Sequence, residues 1–211
     1  MGTLLNGING PVIGKVGPVV GYMWKNKAVV RIKAGKRKKP LSPLQKQQHA
    51  KFSLMNYFLN QLKPLLNITY GHLVESMTGF NKAFSYNVKN AIRLNQPELA
   101  MDYSKVLLGR GDLTNLSTAV AIPSSKGHLK FTWTNNSGTG SAKATDQVFV
   151  AVYSEEQNNW IYGLNLAARS AEGCIIDITK MIGKKVQTYI GFIAEDGKDA
   201  TDTLYLGNIQ L

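Results

Sequence analysis

The side chains best suited to engaging a partner lie between positions 22 and 39. Tyr22 and Trp24 are followed by Lys25, Lys27, Arg31 and Lys33, then by the run Lys36, Arg37, Lys38 and Lys39. Aromatic rings can stack on nucleobases while cationic side chains follow phosphates. Arg31, Lys33, Lys36, Arg37, Lys38 and Lys39 are therefore the candidate contacts to a nucleic acid or another anion. The charge distribution agrees. Residues 1–100 hold 15 Lys and Arg against two acids, Glu75 and Glu98, whereas residues 101–211 hold ten against eleven. Such asymmetry points to a basic module with an anionic partner. A solvated basic surface that blocks unwanted strand pairing accounts for the same residues equally well. No recognised nucleic-acid-binding motif accompanies them.

Other chemistry finds little support. His49, His72 and His128 sit in separate segments, without a second ligand at a metal-binding spacing. Cys174 stands alone beside Ile175 and Ile176, which excludes an internal disulfide and a cysteine-cluster metal site and reads as a small buried residue. There is no G-x-S-x-G. Glu155 and Glu156 are adjacent and diverge in an extended chain, a poor acid–base pair. Gly14-Lys15 lacks the phosphate-loop pattern, and Gly109-Arg110-Gly111 lacks the third glycine of a dinucleotide loop. Arg110-Gly111-Asp112 is the tripeptide some adhesion receptors read, but three residues recur often by chance, and a turn between strands is the stronger reading. The reading is of a protein that is not an enzyme, with no catalytic residue, no metal, no cofactor and no small-molecule ligand. No run approaches the roughly 18 apolar residues of a membrane span. No secretory signal is visible, so the expected compartment is cytoplasmic or unknown.

The elements that must position the basic residues follow from periodicity. Residues 19–24 and 28–32 are two β-prone runs around a polar connection, a hairpin with Tyr22 and Trp24 on one face. A lone hairpin is marginal in water, so residues 1–33 are expected to pack on the chain's own helices or to add to a neighbouring subunit's sheet. Ser42-Pro43-Leu44-Gln45 reads as a helix start. Leu44, Phe52, Met55, Leu59 and Leu62 continue at helical spacing, and Pro64 ends or kinks that helix. Phe80, Phe84, Val88 and Ile92 stripe a second helix, which Asn95-Gln96-Pro97 ends. Strands are expected near 105–108, 117–122, 128–133, 147–153, 161–167, 173–177, 185–194 and 203–206, with turn residues between them. Leu129, Phe131 and Trp133 share a face, which makes Trp133 the candidate core aromatic. The fold class is α+β: an N-terminal β-hairpin plus two helices (1–97), followed by an antiparallel fibronectin III/Ig-like β-sandwich (98–211).

The run G-K-V-G-P-V-V-G-Y-M-W-K-N-K-A-V-V-R, with K-K-P-L-S-P-L-Q-K-Q-Q and F-S-Y-N-V-K-N-A-I behind it, resembles an uncharacterised, numbered family of unknown function from Bacteroidota. Residues 129–211, with F-T-W-T-N-N-S and V-Q-T-Y-I-G-F-I-A-E-D-G-K, are similar to that family's C-terminal half and to fibronectin type III-like sandwiches. The resemblance implies a bacterial origin and supports the architecture. It transfers no functional residue. The expected function is a non-enzymatic structural or protein-interaction protein, with a protein partner or self-assembly. The alternative is sequence-independent nucleic-acid binding through the basic half.

Overall fold

The computed structural model describes residues 2–4, 7, 10–24, 26–35, 40–75, 77–95, 98–125 and 127–211. The chain forms two compact units, Met1–Pro43 and Leu44–Leu211. In the first, Gly2–Leu4 (β1), Val12–Val16 (β2), Val19–Trp24 (β3) and Lys27–Ile32 (β4) make one antiparallel sheet in that order. The expected hairpin is the β3–β4 pair. It pairs with β2, which in turn pairs with β1; polar and glycine residues hide both strands in the sequence.

Three helices follow, Pro43–Leu59 (α1), Lys63–Thr69 (α2) and Gly79–Asn90 (α3), and the second unit begins at the second residue of α1. Pro43 starts α1 as expected, since its fixed φ suits a first helical position. The anticipated apolar stripe is buried only from Met55; Leu44 and Phe52 are exposed, and Phe52 lies against Phe84 of α3 at 4.7 Å. Pro64 breaks the helix after a 3₁₀ turn, Asn60–Leu62, and falls in the first turn of α2, where no hydrogen bond is lost. At α3, Thr78 caps the start by accepting from the Asn81 N–H at 3.2 Å. The helix ends at Asn90, earlier than expected. Ile92–Asn95 (β5) then pairs with Glu98–Met101 (β6); Gln96 and Pro97 lie outside the described residues.

Seven strands follow: Ala119–Pro123 (β7), His128–Trp133 (β8), Gln147–Ser154 (β9), Asn159–Ala168 (β10), Gly173–Asp177 (β11), Lys185–Ile193 (β12) and Leu204–Gln210 (β13). They form a four-stranded antiparallel sheet, β10-β9-β12-β13, and a three-stranded one, β11-β8-β7. The strand expected at 105–108 is a correction. Tyr103–Lys105 is a 3₁₀ turn, and the backbone of Leu107 is bonded by the Asn87 side chain instead of by a strand.

The packing runs across the division expected between residues 97 and 98. In β9 every second side chain, Val148, Val150 and Val152, shares a core with Leu129, Phe131, Trp133, Cys174 and Ile176 of the three-stranded sheet. The intervening Phe149, Ala151 and Tyr153 share a different core with Met55, Phe58, Leu62, Leu66 and Ala83 of the helical region. The four-stranded sheet is thus buried on both faces, and the helices belong to the same unit as the strands. Trp160 joins the two directly, since its Nε1 donates to the Phe58 carbonyl at 2.7 Å.

One buried ion pair closes the end of the second core. Arg169 and Asp146 are both fully buried. Arg169 Nε donates to Asp146 Oδ2 at 3.1 Å, Nη1 to Asn136 Oδ1 at 2.7 Å, and Nη2 to the Thr114 carbonyl at 3.2 Å. Its guanidinium lies 4.2 Å from the Phe192 ring centroid. Burial lowers the Arg169 pKa, and the Asp146 carboxylate opposes that shift. The Arg169 carbonyl accepts from Trp133 Nε1 at 2.8 Å.

Two stability outcomes follow from this packing. Trp133→Ala is expected to cost about 3–5 kcal/mol in denaturant unfolding, through lost burial and a cavity. Arg169→Met should cost about 3–5 kcal/mol by leaving the Asp146 carboxylate buried and unpaired, whereas Arg169→Met combined with Asp146→Leu should cost less. A double variant no more stable than the single one would show that the stranded charge is not the cause.

Candidate functional site

Of the six candidate contacts, two fall among the described residues: Arg31, on β4 of the N-terminal sheet, and Lys33, just after it. Register pairs Val20 with Arg31, Tyr22 with Val29 and Trp24 with Lys27 across β3–β4, and Lys15 of β2 with Val20. Cross-strand partners point to the same side. One face of β3–β4 therefore carries Tyr22, Trp24, Lys27 and Arg31, and Arg31 holds its guanidinium 5.7 Å from the Tyr22 ring centroid. Tyr22 and Trp24 are 38% and 52% exposed. Lys33 follows the strand, its N–H bonded to the Pro18 carbonyl at 2.7 Å and its side chain exposed. Lys36, Arg37, Lys38 and Lys39 lie outside the described residues.

The opposite face of the same strands has a different chemistry. It carries Val19, Gly21, Met23, Ala28, Val30 and Ile32, with Val16 paired to Val19. No charged side chain belongs to this set. Met23, Val16, Val30 and Ile32 are 43%, 47%, 60% and 78% exposed. Gly21 is required by its surroundings, since a Cβ there would stand 2.0 Å from the Val12 carbonyl oxygen. The glycine thus lets β2 curl closely over β3. Gly17 adopts φ +53 in the two-residue β2–β3 turn and Asn26 φ +61 in the β3–β4 turn, both compatible with primed hairpin turns.

The remaining chemical candidates stay apart. Among the described residues no three His, Cys, Asp or Glu side chains form a metal-binding group. Cys174 is buried in β11, and burial pushes its thiol up to about 11, so it stays protonated at neutral pH. His72 Nε2 lies 3.4 Å from Asp199 Oδ1 in a mostly enclosed position. Ser125 Oγ and His128 Nδ1 are 3.3 Å apart, a pairing sequence spacing did not suggest. It belongs to a tight turn that also closes through the His128 N–H and the Ser125 carbonyl at 2.9 Å. Asp177 sits opposite His128 in the sheet, its Oδ1 accepting from the Thr179 N–H and hydroxyl, and among the described residues no hydrogen bond joins it to His128. Asp102 is similarly absorbed in structure. Its carboxyl is held below the usual range, first by the Ser104 hydroxyl and then by Arg93.

No helix of the described residues is long and apolar enough to cross a membrane. No curated protein matches the chain. The model of a family of unknown function, DUF6266, matches residues 11–207, from the start of β2 to the middle of β13. That match runs through both the N-terminal sheet and the helix-backed strands, and the chain therefore belongs to the DUF6266 family of unknown function.

Proposed function

We propose that this is a non-enzymatic interaction protein of bacterial origin, in which the N-terminal sheet docks onto an acidic protein partner. Residues 44–211 serve as scaffold: the β11-β8-β7 and β10-β9-β12-β13 sheets make a fibronectin III-like β-sandwich, consistent with their antiparallel order and shared core. The observation that carries the reading is the apolar face of β3–β4, where Val30 and Ile32 are 60% and 78% exposed. Small sheets rarely leave branched apolar side chains this open unless another surface covers them. Charge selects the occupant. Residues 1–43 contain nine Lys and Arg and no Asp or Glu, so a second copy of this sheet is repelled and an acidic partner is attracted.

The opposite face supports a second reading, sequence-independent nucleic-acid binding. There Arg31 rests on Tyr22 beside Trp24 and Lys27, the combination of stacking surface and cations that suits a single strand.

Affinity capture from the source cells with the full chain separates these readings. Val30→Thr with Ile32→Thr keeps β-branching and charge but removes apolar contact. It should leave melting nearly unchanged and weaken capture of an acidic partner by about tenfold or more, since burying each such side chain contributes about 1.5–3 kcal/mol. Equal capture by the variant would exclude the sheet as the docking element. A dimer that this variant dissolves would make the second copy the occupant instead.

For the nucleic-acid reading, neutralising Lys36, Arg37, Lys38 and Lys39 to Gln should lower the slope of log K against log salt on duplex DNA by up to about three to four units. Binding that ignores salt, or that prefers one sequence, would contradict it.

A further inference from the structure

Helix α3 carries Lys82, Ser85, Tyr86 and Lys89 three, four and seven residues apart, so they line one face. With Met77, Asn90 and Arg110 they border an open groove of about 270 Å³. Among the described residues that line it there is no carboxylate. Among the described residues, no Asp or Glu oxygen comes within 4.0 Å of the Lys82, Lys89 or Arg110 nitrogens. Arg110 holds its guanidinium 5.1 Å from the ring centroid of Tyr86, a residue that lies between the two lysines along α3.

The two walls of this groove are locked to one another. Asn87, the residue after Tyr86, is fully buried; its Nδ2 donates to the Leu107 carbonyl at 2.9 Å and its Oδ1 accepts from the Leu107 N–H at 3.0 Å. The Leu108 and Gly109 N–H groups both reach the Thr203 hydroxyl, at 3.0 and 2.5 Å. Beyond Arg110, the Asp112 N–H donates to Asp199 Oδ1 at 3.1 Å. Gly111 is enclosed so tightly that a Cβ would stand 2.3 Å from that same oxygen. The Arg110-Gly111-Asp112 tripeptide is therefore a clamped segment, which sets Arg110 against α3. A neighbouring hollow shares Lys82 and Arg110 but is lined by Asp112 and Asp202, so an anion is confined to the α3 side.

We propose that this groove binds a small molecule bearing two or more linked phosphoryl groups. Seven helical residues separate Lys82 and Lys89 by about 10 Å along the axis, so a linked series of phosphoryl groups can engage both in place, whereas one phosphate would draw both side chains together. Arg110 supplies the planar fork suited to phosphate oxygens, and Ser85 and Asn90 add polar side chains at the rim. Rigid walls reduce the ordering cost of binding.

Calorimetric titration of the full chain tests this, with tripolyphosphate and inorganic phosphate as probes. Tripolyphosphate should bind saturably with one site, and inorganic phosphate at least about tenfold more weakly. Arg110→Gln, and separately Lys82→Gln with Lys89→Gln, should each weaken tripolyphosphate by about tenfold or more, the loss of charge-assisted hydrogen bonds. Lys89 is exposed, so Lys89→Gln alone keeps the test valid should the other variants melt early. Gln at positions 36–39 should leave the affinity unchanged. No saturable binding, equal affinity for inorganic phosphate, or loss of binding only with the 36–39 substitutions would each overturn the proposal. These outcomes are independent of whether the N-terminal sheet docks a protein.

Discussion

A single guanidinium holds together the parts of the larger unit that secondary structure does not. Arg169 reaches from the end of β10 to Asp146, Asn136 and Thr114, and its own carbonyl anchors Trp133. The segments that precede β7, join β8 to β9 and follow β10 are thereby tied to one point beneath the Phe192 ring. A charge in such a place is costly to desolvate, so its stabilising effect depends on Asp146 and the surrounding acceptors all being in position. That dependence is also what makes the pair specific: a chain that misplaces the loop at 143–146 leaves two buried charges unmatched. The Lys143 N–H bond to Asp146 Oδ2 at 2.8 Å shows the loop closing on the same carboxylate.

The other face of the four-stranded sheet solves a different problem. Aromatic side chains of β9 and β10 meet Phe58 from α1, with Phe58 and Tyr153 rings 4.8 Å apart and Phe58 and Trp160 rings 5.0 Å apart, and Tyr189 of β12 joins them through Trp160 at 5.7 Å. Such edge-on pairs add to the stabilisation from area burial alone. Gln61 fastens the junction further, donating to the Asn158 carbonyl and accepting from the Trp160 N–H. The helices therefore cover a sheet face that would otherwise expose Phe149, Tyr153 and Tyr189. The same constraint positions α3, because its Ala83 and Asn87 are drawn into that core, leaving Lys82, Tyr86 and Lys89 on the groove side.

The N-terminal sheet follows neither rule. Its four strands are joined by backbone bonds and tight turns, with a close approach at Gly21 in place of a large buried core. Its two faces have opposite character, cationic and aromatic on one side and apolar on the other. Alternation along β3 and β4 is sufficient to produce that difference, because the strand period sends successive residues to opposite sides.

That alternation, and the runs at 128–133 and 173–177, were legible in the sequence alone, as were the helix start at Pro43, the α3 stripe and the shared face of Tyr22 and Trp24. Local pattern suffices there because side-chain direction depends on a residue's neighbours in the chain. The acid-free basic stretch was equally plain, since charge is counted without a fold. What local pattern could not decide were contacts made across the chain. β9 and the helices join in one core because alternate faces of one strand are both covered, and a run of buried residues does not say by what. β1 and β2 were missed because their short, glycine-interrupted sequences owe their pairing to neighbouring strands. Residues 105–108 look β-prone, yet Asn87 takes up the backbone bonds of Leu107. Arg169 reads in sequence as one surface cation among 25 Lys and Arg; only the tertiary structure, by surrounding it with Asp146, Asn136 and Phe192, made it a core residue. Arg110 and Lys89 are 21 positions apart along the chain, and it was the clamp at Leu107 that brought them to one groove.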